Sequence, residues 1–281
     1  MFQYAFGKQL ALQNNTHLVL ALSYIQSKLP FKKWATPMQY ELDIFNIDTP
    51  LETNFFQAVY LYPFAKTEHI LRNFRNKQKL NVLSEQQFEF NPAYLQTQDN
   101  TYVIGNFQSE KYFTSIQEEI RKDFQFKLPL EAENVHWKKK IENSKSVSLH
   151  IRRGDYLSIA KNASKFAQLS LQYYQDAIKY ISSKIENPVF FIFSDDSEWV
   201  KANLKSDFQM HFIDNNKGKY NYRDMQLMSC CKHNIIANST FSWWGAWLNN
   251  NQDKMVIAPN AWFADVSINS QDIIPSKWIK L

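Results

Sequence analysis

The second half of the chain alternates short apolar runs with amphipathic segments, and this pattern limits the fold more than any other feature. Apolar runs predict strands over 146–151, 189–193, 210–213, 234–237 and 255–258. Helical periodicity predicts helices over 172–185, 197–204, 222–231 and 242–248. Strands that alternate with helices at this spacing are typical of a parallel sheet covered on both faces. The sequence therefore predicts an α/β fold.

Polar residues follow four of these strands directly. The clusters are His150 to Asp155, Ser194-Asp195-Asp196, Asp214-Asn215-Asn216 and Asn238-Ser239-Thr240. Ligands of open α/β sheets bind outside the carboxyl ends of the strands. The clusters therefore predict a binding site at that end of the sheet.

Arg152 and Arg153 leave the first of these strands together. Guanidinium groups match a pyrophosphate because they bind it bidentately and keep their charge. The alternative is that the two arginines form surface ion pairs, with Asp155 as one partner. Their position at a strand end favours a phosphate.

Asp195 and Asp196 admit three interpretations: a site for Mg²⁺ or Mn²⁺, an N-cap of the helix from Ser197, or a hydrogen bond to a ligand. No second carboxylate follows at a spacing typical of a metal site. The six histidines are scattered, and the sequence contains no glycine-rich phosphate loop of the P-loop or dinucleotide type. The sequence predicts neither a metal nor a redox cofactor.

The segment from Asn238 to Trp247 places hydroxyl groups at the start of a predicted helix. Free backbone N–H groups at a helix start attract phosphate. Ser239, Thr240 and Ser242 are therefore predicted to face a ligand. Trp247 and at least one of Trp243 and Trp244 are predicted to pack inward.

The first half is less regular. A helix is predicted over 1–12, a strand over 17–22 and a helical segment over 109–126, whereas 24–107 is rich in loops. Leu128-Pro129-Leu130 is the best linker candidate, so we predict two domains, 1–128 and 129–281. Because the first helix has no capping residue before it, we expect an upstream element to be missing.

Charge and cysteine content narrow the location and the partners. The net charge of +5 is dispersed and forms no basic stripe, which argues against nucleic acid. The two cysteines are adjacent, an arrangement that disfavours a disulfide and favours the cytoplasm. No run of about 18 apolar residues predicts a membrane span. We expect a cytoplasmic protein, with peripheral contact to the inner face of the membrane as an open alternative.

Three tracts resemble known proteins. The segment from His150 to Tyr156 resembles the arginine-containing motif shared by α-1,2-, α-1,6- and protein O-fucosyltransferases. The tract from Asp224 to Leu248 resembles more narrowly the bacterial α-1,2-fucosyltransferases, glycosyltransferase family 11, and Met1 to Gly7 is similar to the end of their N-terminal glycine-rich motif. The resemblance spans nearly the whole chain.

The resemblance implies a GT-B fold of two Rossmann-like domains, the first on the acceptor side and the second binding GDP-fucose at the carboxyl ends of its strands. It implies transfer of L-fucose from GDP-β-L-fucose to the 2-hydroxyl of a terminal galactose in a glycan, with inversion and without metal. Arg152 would bind the β-phosphate, and Arg153 and Asp155 would shape the donor pocket.

Further site residues follow from the same comparison and from position. The expected donor-binding set also includes Ser194, Asp195, Asp224, Asn238, Ser239, Thr240 and Ser242. Gln3 and Tyr4, with Glu41 and Asp43, are expected on the acceptor side or in the cleft. Catalysis is expected from Arg152, Asp155 and His150, and the general base is open among Asp155, His150, Glu41 and Asp43.

One departure from the family pattern lies at the start of the chain. The usual first strand, followed by Gly-Gly-Leu-Gly-Asn-Gln, is absent. We therefore expect a first domain truncated at its start. The alternative hypothesis is an inactive glycan- or GDP-binding remnant of such an enzyme.

Overall fold

The computed structural model describes residues 1–26, 39–53, 81–153 and 167–281. The chain divides into two compact units. The N-terminal unit comprises Met1–Lys127 and Gln271–Ile273, and the C-terminal unit comprises Leu128–Ser270 and Ile274–Leu281.

The C-terminal unit contains a six-stranded parallel sheet. Its strands are β5 (Ser146–Ile151), β6 (Val189–Ser194), β7 (Met210–Ile213), β8 (His233–Ile235), β9 (Val256–Ala258) and β10 (Ile279–Lys280). Their order across the sheet is β10-β9-β8-β5-β6-β7. Counted from β5, this is the 3-2-1-4-5-6 order of doubly wound dinucleotide-binding folds. The predicted α/β fold with a parallel sheet is confirmed.

Helices flank this sheet. They are α4 (Ala132–Glu142), α5 (Leu171–Ser182), α6 (Ser197–Asn203), α7 (Tyr222–Cys230) and α8 (Thr240–Leu248), with a 3₁₀ turn at Gly218–Tyr220. On one face, apolar side chains of alternate strand residues pack with α5 and α6 into a single core, in which Leu149, Ile178 and Val200 are buried. This alternation is the two-residue period of a strand whose neighbours are helices.

The opposite face of the sheet contains a cluster of buried polar side chains. Asn234 donates to Ser148 Oγ (2.7 Å) and to the carbonyl of Met228 in α7 (2.9 Å), and it accepts from the Asn249 amide (2.8 Å). Because buried amides are costly unless paired, these bonds fix α7 against β5 and β8. Gly245 lets α8 approach α7, since a Cβ atom at this position would lie 3.0 Å from Met228 Cε.

The predicted tryptophan burial is confirmed. Trp243, Trp244 and Trp247 of α8 are all buried, and the rings of Trp243 and Trp247 stack with centroids 6.3 Å apart. Lys254 Nζ donates to the carbonyls of Ala246 (2.8 Å) and Asn249 (2.6 Å) and thereby satisfies acceptors at the end of this helix.

The N-terminal unit is built around an aromatic core. Its elements are α1 (Phe2–Gln13), α2 (Ser23–Gln26), α3 (Gln117–Asp123), β1 (Leu20–Ala21), β2 (Leu51–Glu52), β3 (Asn81–Ser84) and β4 (Thr101–Ile104). The 3₁₀ turns are Leu42–Ile44, Pro92–Gln96, Glu110–Tyr112 and Thr114–Ile116. Phe6 of α1 packs against Phe107 (4.3 Å) and Tyr112 (4.9 Å), measured between ring centroids.

The described strands of this unit form two separate parallel pairs, β1-β2 and β3-β4. The Rossmann-like form expected of the N-terminal half therefore stays a prediction. The helical segment predicted over 109–126 is broken into two 3₁₀ turns and α3, because Phe113 leaves helical geometry at φ −139° and ψ 18°. Its ring packs instead against Phe2, with centroids 6.3 Å apart.

Candidate active site

The centre of the parallel sheet contains a topological switch point. The chain proceeds from β5 to β6 and β7 on one side, then places β8, β9 and β10 on the other. Ligands of doubly wound sheets bind in the crevice that such a reversal leaves at the carboxyl ends of the strands. Here the crevice lies beyond β5 and β8, beside Arg152 and Asn238.

Arg152 and Arg153 meet the cluster that follows β6, because β6 lies beside β5. Asp195 Oδ2 lies 3.2 Å from Arg152 Nε, and Asp195 Oδ1 accepts a hydrogen bond from the backbone N–H of Arg153 (2.9 Å). One carboxylate thus contacts both arginine residues. The side chains of Arg152 and Arg153 are 32% and 25% exposed, so both are open to solvent in part.

Asp196 has two roles in this corner. Its Oδ1 accepts from the backbone N–H of Trp199 (3.4 Å), which confirms the N-cap interpretation for α6. Its Oδ2 lies 3.4 Å from Arg153 Nε. The guanidinium carbon of Arg153 also lies 3.3 Å from the centroid of the Trp199 ring. Ser194 Oγ accepts from the Asp196 N–H (3.0 Å) and fixes the turn.

His150, near the end of β5, is 4% exposed, and its Nδ1 has no hydrogen-bond partner in the described part of the chain. Its ring lies 5.6 Å from that of Phe241 in the first turn of α8. Burial, together with the charge of Arg152, lowers the pKa of His150 to about 3. At neutral pH the imidazole is uncharged. Such a low pKa argues against the expected role as general base.

The residues that precede and open α8 differ in how their side chains are used. Asn238 is buried, and its Nδ2 donates to the carbonyls of Ala167 (2.8 Å) and Trp262 (2.9 Å). Ser242 is fully buried and donates to the carbonyl of Ser239 (3.2 Å). Both side chains therefore hold the loop in place. Ser239 at the N-cap and the partly exposed Thr240 are better placed to meet a ligand.

Asp224, at the start of α7, belongs to a separate polar group. Its Oδ1 accepts from Asn216 Nδ2 (2.8 Å), and Asn216 exchanges amide hydrogen bonds with Asn134 (2.8 and 3.0 Å). Burial raises the pKa of Asp224 to about 7, and the charge of Asp214 adds to the increase. The carboxyl group is therefore partly protonated near neutral pH.

The acceptor-side candidates lie in the N-terminal unit. Tyr4 is 1% exposed, and its hydroxyl donates to Asp123 Oδ2 (2.7 Å), so the structure argues against its expected contact with a ligand. Gln3 donates to the carbonyl of Gly105 (2.7 Å) at the surface. Glu41 and Asp43 are exposed at a 3₁₀ turn. Asp155 lies outside the described residues.

Two side chains were missed by sequence reasoning. Trp199 was assigned only to a predicted helix, and no local pattern indicated that its ring stacks on Arg153. Arg223 is fully buried and binds Glu131 with Nε–Oε2 and Nη2–Oε1 distances of 3.0 and 2.8 Å. The hydrophilic sequence of α4 and the preceding linker gave no signal for this pair.

Searches for metal and membrane sites cover the described residues alone. Within them, no group of three or more His, Cys, Asp or Glu side chains could hold a metal ion. No helix among them is both long and apolar enough to cross a membrane.

Comparison with known proteins decides the family. The model of glycosyl transferase family 11 matches residues 29–281. An α-1,2-colitosyltransferase of Escherichia coli is 34% identical over 100% of this chain and 94% of its own length. The chain belongs to glycosyl transferase family 11. The resemblance stated from the motifs is thereby confirmed.

Two further relatives differ in how much of this chain they match. The O-antigen biosynthesis glycosyltransferase WbnK of Escherichia coli is 36% identical over 100% of this chain and 96% of its own length. Human galactoside α-(1,2)-fucosyltransferase 1 is 28% identical over 55% of this chain and 45% of its own. Membership of family 11 makes the chain a glycosyltransferase, and its full-length bacterial relatives are nearer than the human enzyme.

Proposed function

We propose that this glycosyltransferase moves L-fucose from GDP-β-L-fucose to the 2-hydroxyl of a terminal galactose in a glycan, with inversion and without a metal ion. The observation that carries the proposal is the arginine pair at the switch point of the sheet, in a chain of family 11. The fold we propose is GT-B, with the donor held by the C-terminal unit. We also propose that the enzyme works in the cytoplasm, with peripheral membrane contact as an alternative.

Colitose is a second candidate for the transferred sugar. The relative named α-1,2-colitosyltransferase favours it, since its alignment covers the whole of this chain. Colitose is L-fucose without the 3-hydroxyl group, so a pocket for one sugar needs little change to accept the other. A hydrogen bond to the 3-hydroxyl would discriminate strongly between them, whereas an apolar pocket would not.

In the proposed reaction, the galactose 2-hydroxyl oxygen attacks the anomeric carbon of fucose. The bond from that carbon to the β-phosphate oxygen breaks, and the hydroxyl proton passes to a general base. The transition state has oxocarbenium character, as in glycoside hydrolysis. Negative charge grows on the departing GDP.

Arg152 is the residue proposed to stabilise that charge. Its contact with Asp195 (Nε–Oδ2, 3.2 Å) orients the guanidinium at the carboxyl end of β5, and 32% of the side chain is exposed there. A fixed cation that meets growing negative charge binds the transition state better than the ground state. Ser239 and Thr240, at the start of α8, are proposed to bind the same diphosphate.

The general base is proposed to be a carboxylate rather than His150. The pKa of His150, lowered to about 3 by burial and by Arg152, makes it a poor proton acceptor at neutral pH. Its neutral ring is instead proposed to offer a hydrogen bond to the donor. Asp155, Glu41 and Asp43 stay as candidates for the base.

The proposal is tested by assaying the chain with GDP-fucose and lactose in the presence of EDTA, with nucleotide-linked colitose as the competing donor. We expect transfer, and we expect Arg152→Ala to lower kcat by about 10²–10³-fold, as removal of one charge-stabilising donor does. The control is Lys179→Ala, which removes an exposed cation from α5. An Arg152→Ala enzyme with near wild-type turnover would refute the assignment, and inhibition by EDTA would refute metal independence.

The competing hypothesis is a GDP- or glycan-binding protein without activity. The same purified chain separates the two, because titration with GDP reports binding whether or not transfer occurs. Binding of GDP without transfer to any galactoside, from either donor sugar, would favour the inactive protein.

A further inference from the structure

We propose that Trp199 and Asp196 brace Arg153, and that this brace positions Arg152 for the donor diphosphate. In this proposal Trp199 is a positioning residue, not a catalytic one. The inference rests on the proposed function, because it assigns a role within the donor site.

The first observation is the confinement of the Arg153 side chain. Its guanidinium carbon lies 3.3 Å from the centroid of the Trp199 ring, and its Nε lies 3.4 Å from Asp196 Oδ2. Exposed arginines usually keep several rotamers, and single surface ion pairs rarely hold them. A ring face and a carboxylate together define both the plane and the direction of this guanidinium.

The second observation is that the ring is itself anchored. Trp199 packs against the buried core between the sheet and the helices α5 and α6. Its backbone N–H donates to Asp196 Oδ1 (3.4 Å), and the Asp196 N–H donates to Ser194 Oγ (3.0 Å). The brace is thus attached to the end of β6 rather than to a free loop.

The third observation links the brace to Arg152. Asp195 Oδ1 accepts from the backbone N–H of Arg153 (2.9 Å), while Asp195 Oδ2 lies 3.2 Å from Arg152 Nε. The peptide between Arg152 and Arg153 therefore shares a carboxylate with the Arg152 side chain. A displaced Arg153 would move both, and the Arg152 guanidinium would lose its orientation at the end of β5.

The geometry also distinguishes the two arginines. Arg153 meets a ring face and Asp196, whereas Arg152 meets Asp195. We infer a division of labour in which Arg152 binds the diphosphate and Arg153 holds the strand end. This gives the expected pocket-shaping role of Arg153 a physical form.

The test compares binding of GDP and of guanosine to the full chain by calorimetry. Guanosine lacks the phosphates, so a brace that acts through Arg152 affects only GDP. We expect Trp199→Leu to weaken GDP binding about tenfold and to leave guanosine binding unchanged. Trp199→Phe keeps a ring face and should retain most of the affinity.

A variant at Arg153 tests the brace even if Trp199→Leu does not fold. Arg153→Gln leaves the core intact and should show the same selective loss for GDP. The double variant of Trp199→Leu and Arg153→Gln should lose no more than either single variant, because both remove one contact. Trp137→Leu is the matched control, since its ring also lies under a cation, Lys140 Nζ at 5.0 Å, but on α4.

Three results would overturn the brace: unchanged GDP binding in Trp199→Leu, an equal loss for GDP and guanosine, or additive losses in the double variant. A wild-type chain that binds GDP no better than guanosine would instead overturn the proposed function itself.

Discussion

Two arginine sites of the C-terminal unit differ in exposure and in the kind of their partners. Arg223 is 0% exposed, and its guanidinium makes five hydrogen bonds. Two go to Glu131, one to Gln226 and one each to the carbonyls of Leu128 and Pro129. Every N–H of this guanidinium group is therefore used.

The arginine corner at the end of β5 is different in kind. Arg152 and Arg153 keep about a third and a quarter of their side-chain surface in solvent, and their contacts among the described residues include one carboxylate each and one ring. The difference teaches that a buried cation whose donors are all used serves the fold, whereas a partly exposed cation at a strand end is available to a ligand. Arg223 lies next to the family tract Asp224–Leu248, as Arg152 and Arg153 lie within a family motif. Sequence position alone therefore does not separate a structural arginine from a ligand-binding one.

The largest effect expected from this comparison is on stability. Arg223→Ala should lower the free energy of unfolding by about 3 kcal/mol, because it leaves carbonyls and a carboxylate without their buried partner. Arg152→Ala should lower it by less than about 1 kcal/mol, as for an exposed ion pair. Every tryptophan except Trp34 lies in this unit, so tryptophan fluorescence during urea unfolding measures both.

A conservative variant sharpens this prediction. Arg223→Lys keeps the charge but has only three donors, so its free energy of unfolding should lie between those of wild type and Arg223→Ala. If Arg223→Ala and Arg152→Ala unfold at the same urea concentration, the distinction between a structural and a ligand-binding arginine is wrong.

The fold was predictable where apolar runs are continuous and bounded by polar residues. The strands Ser146–Ile151 and Met210–Ile213 have the predicted bounds. Helix α4 was missed because most of its residues are polar and Val135, one of its few apolar residues, is 38% exposed. The strand order was beyond prediction, because pairing depends on contacts between residues that are distant in sequence.

The site was predictable as a set of strand ends, but not as a set of contacts. The clusters after β5 and β6 meet because these strands are neighbours, which no local pattern encodes. Asp224 is a similar case: the motif predicts it in the donor site, whereas in the structure its carboxylate accepts a hydrogen bond from Asn216 (2.8 Å). The contact of Trp199 with Arg153 was missed because an aromatic residue in a short amphipathic helix is normally predicted to be buried in the core.

Asp224 offers a second test, because it follows Arg223 directly and burial raises the pKa of its carboxyl group. Its pKa in the folded chain is about 7, against about 3.9 in an unfolded chain. The unfolded chain therefore releases this proton at lower pH, and stability falls as pH rises from about 4 to about 7. Asp224→Asn removes this loss.

We expect the stability difference between Asp224→Asn and wild type to grow over that range and to level off above about pH 7. Urea unfolding at five pH values measures it. Asp214→Asn, which removes the neighbouring charge that raises the pKa of Asp224, should show a smaller change in the same direction. A difference independent of pH would mean that the Asp224 carboxylate is not penalised by burial.

The smallest expected effect concerns Glu131, the carboxylate on the open side of the Arg223 site. Arg223 lowers the pKa of Glu131 to about 2, so its contribution to stability is complete above about pH 4.3 and is lost as pH falls toward 2. Because 48% of its side chain is exposed, solvent screening limits that contribution to less than about 1 kcal/mol. The urea midpoint of Glu131→Gln should therefore lie slightly below that of wild type at pH 6 and approach it by pH 2.5.

The control is Glu142→Gln, which breaks the exposed pair with Lys138 and shows how much a surface ion pair contributes to stability. Equal acid transitions in Glu131→Gln and wild type would mean that Arg223 stabilises the fold through Gln226 and the carbonyls of Leu128 and Pro129, without Glu131.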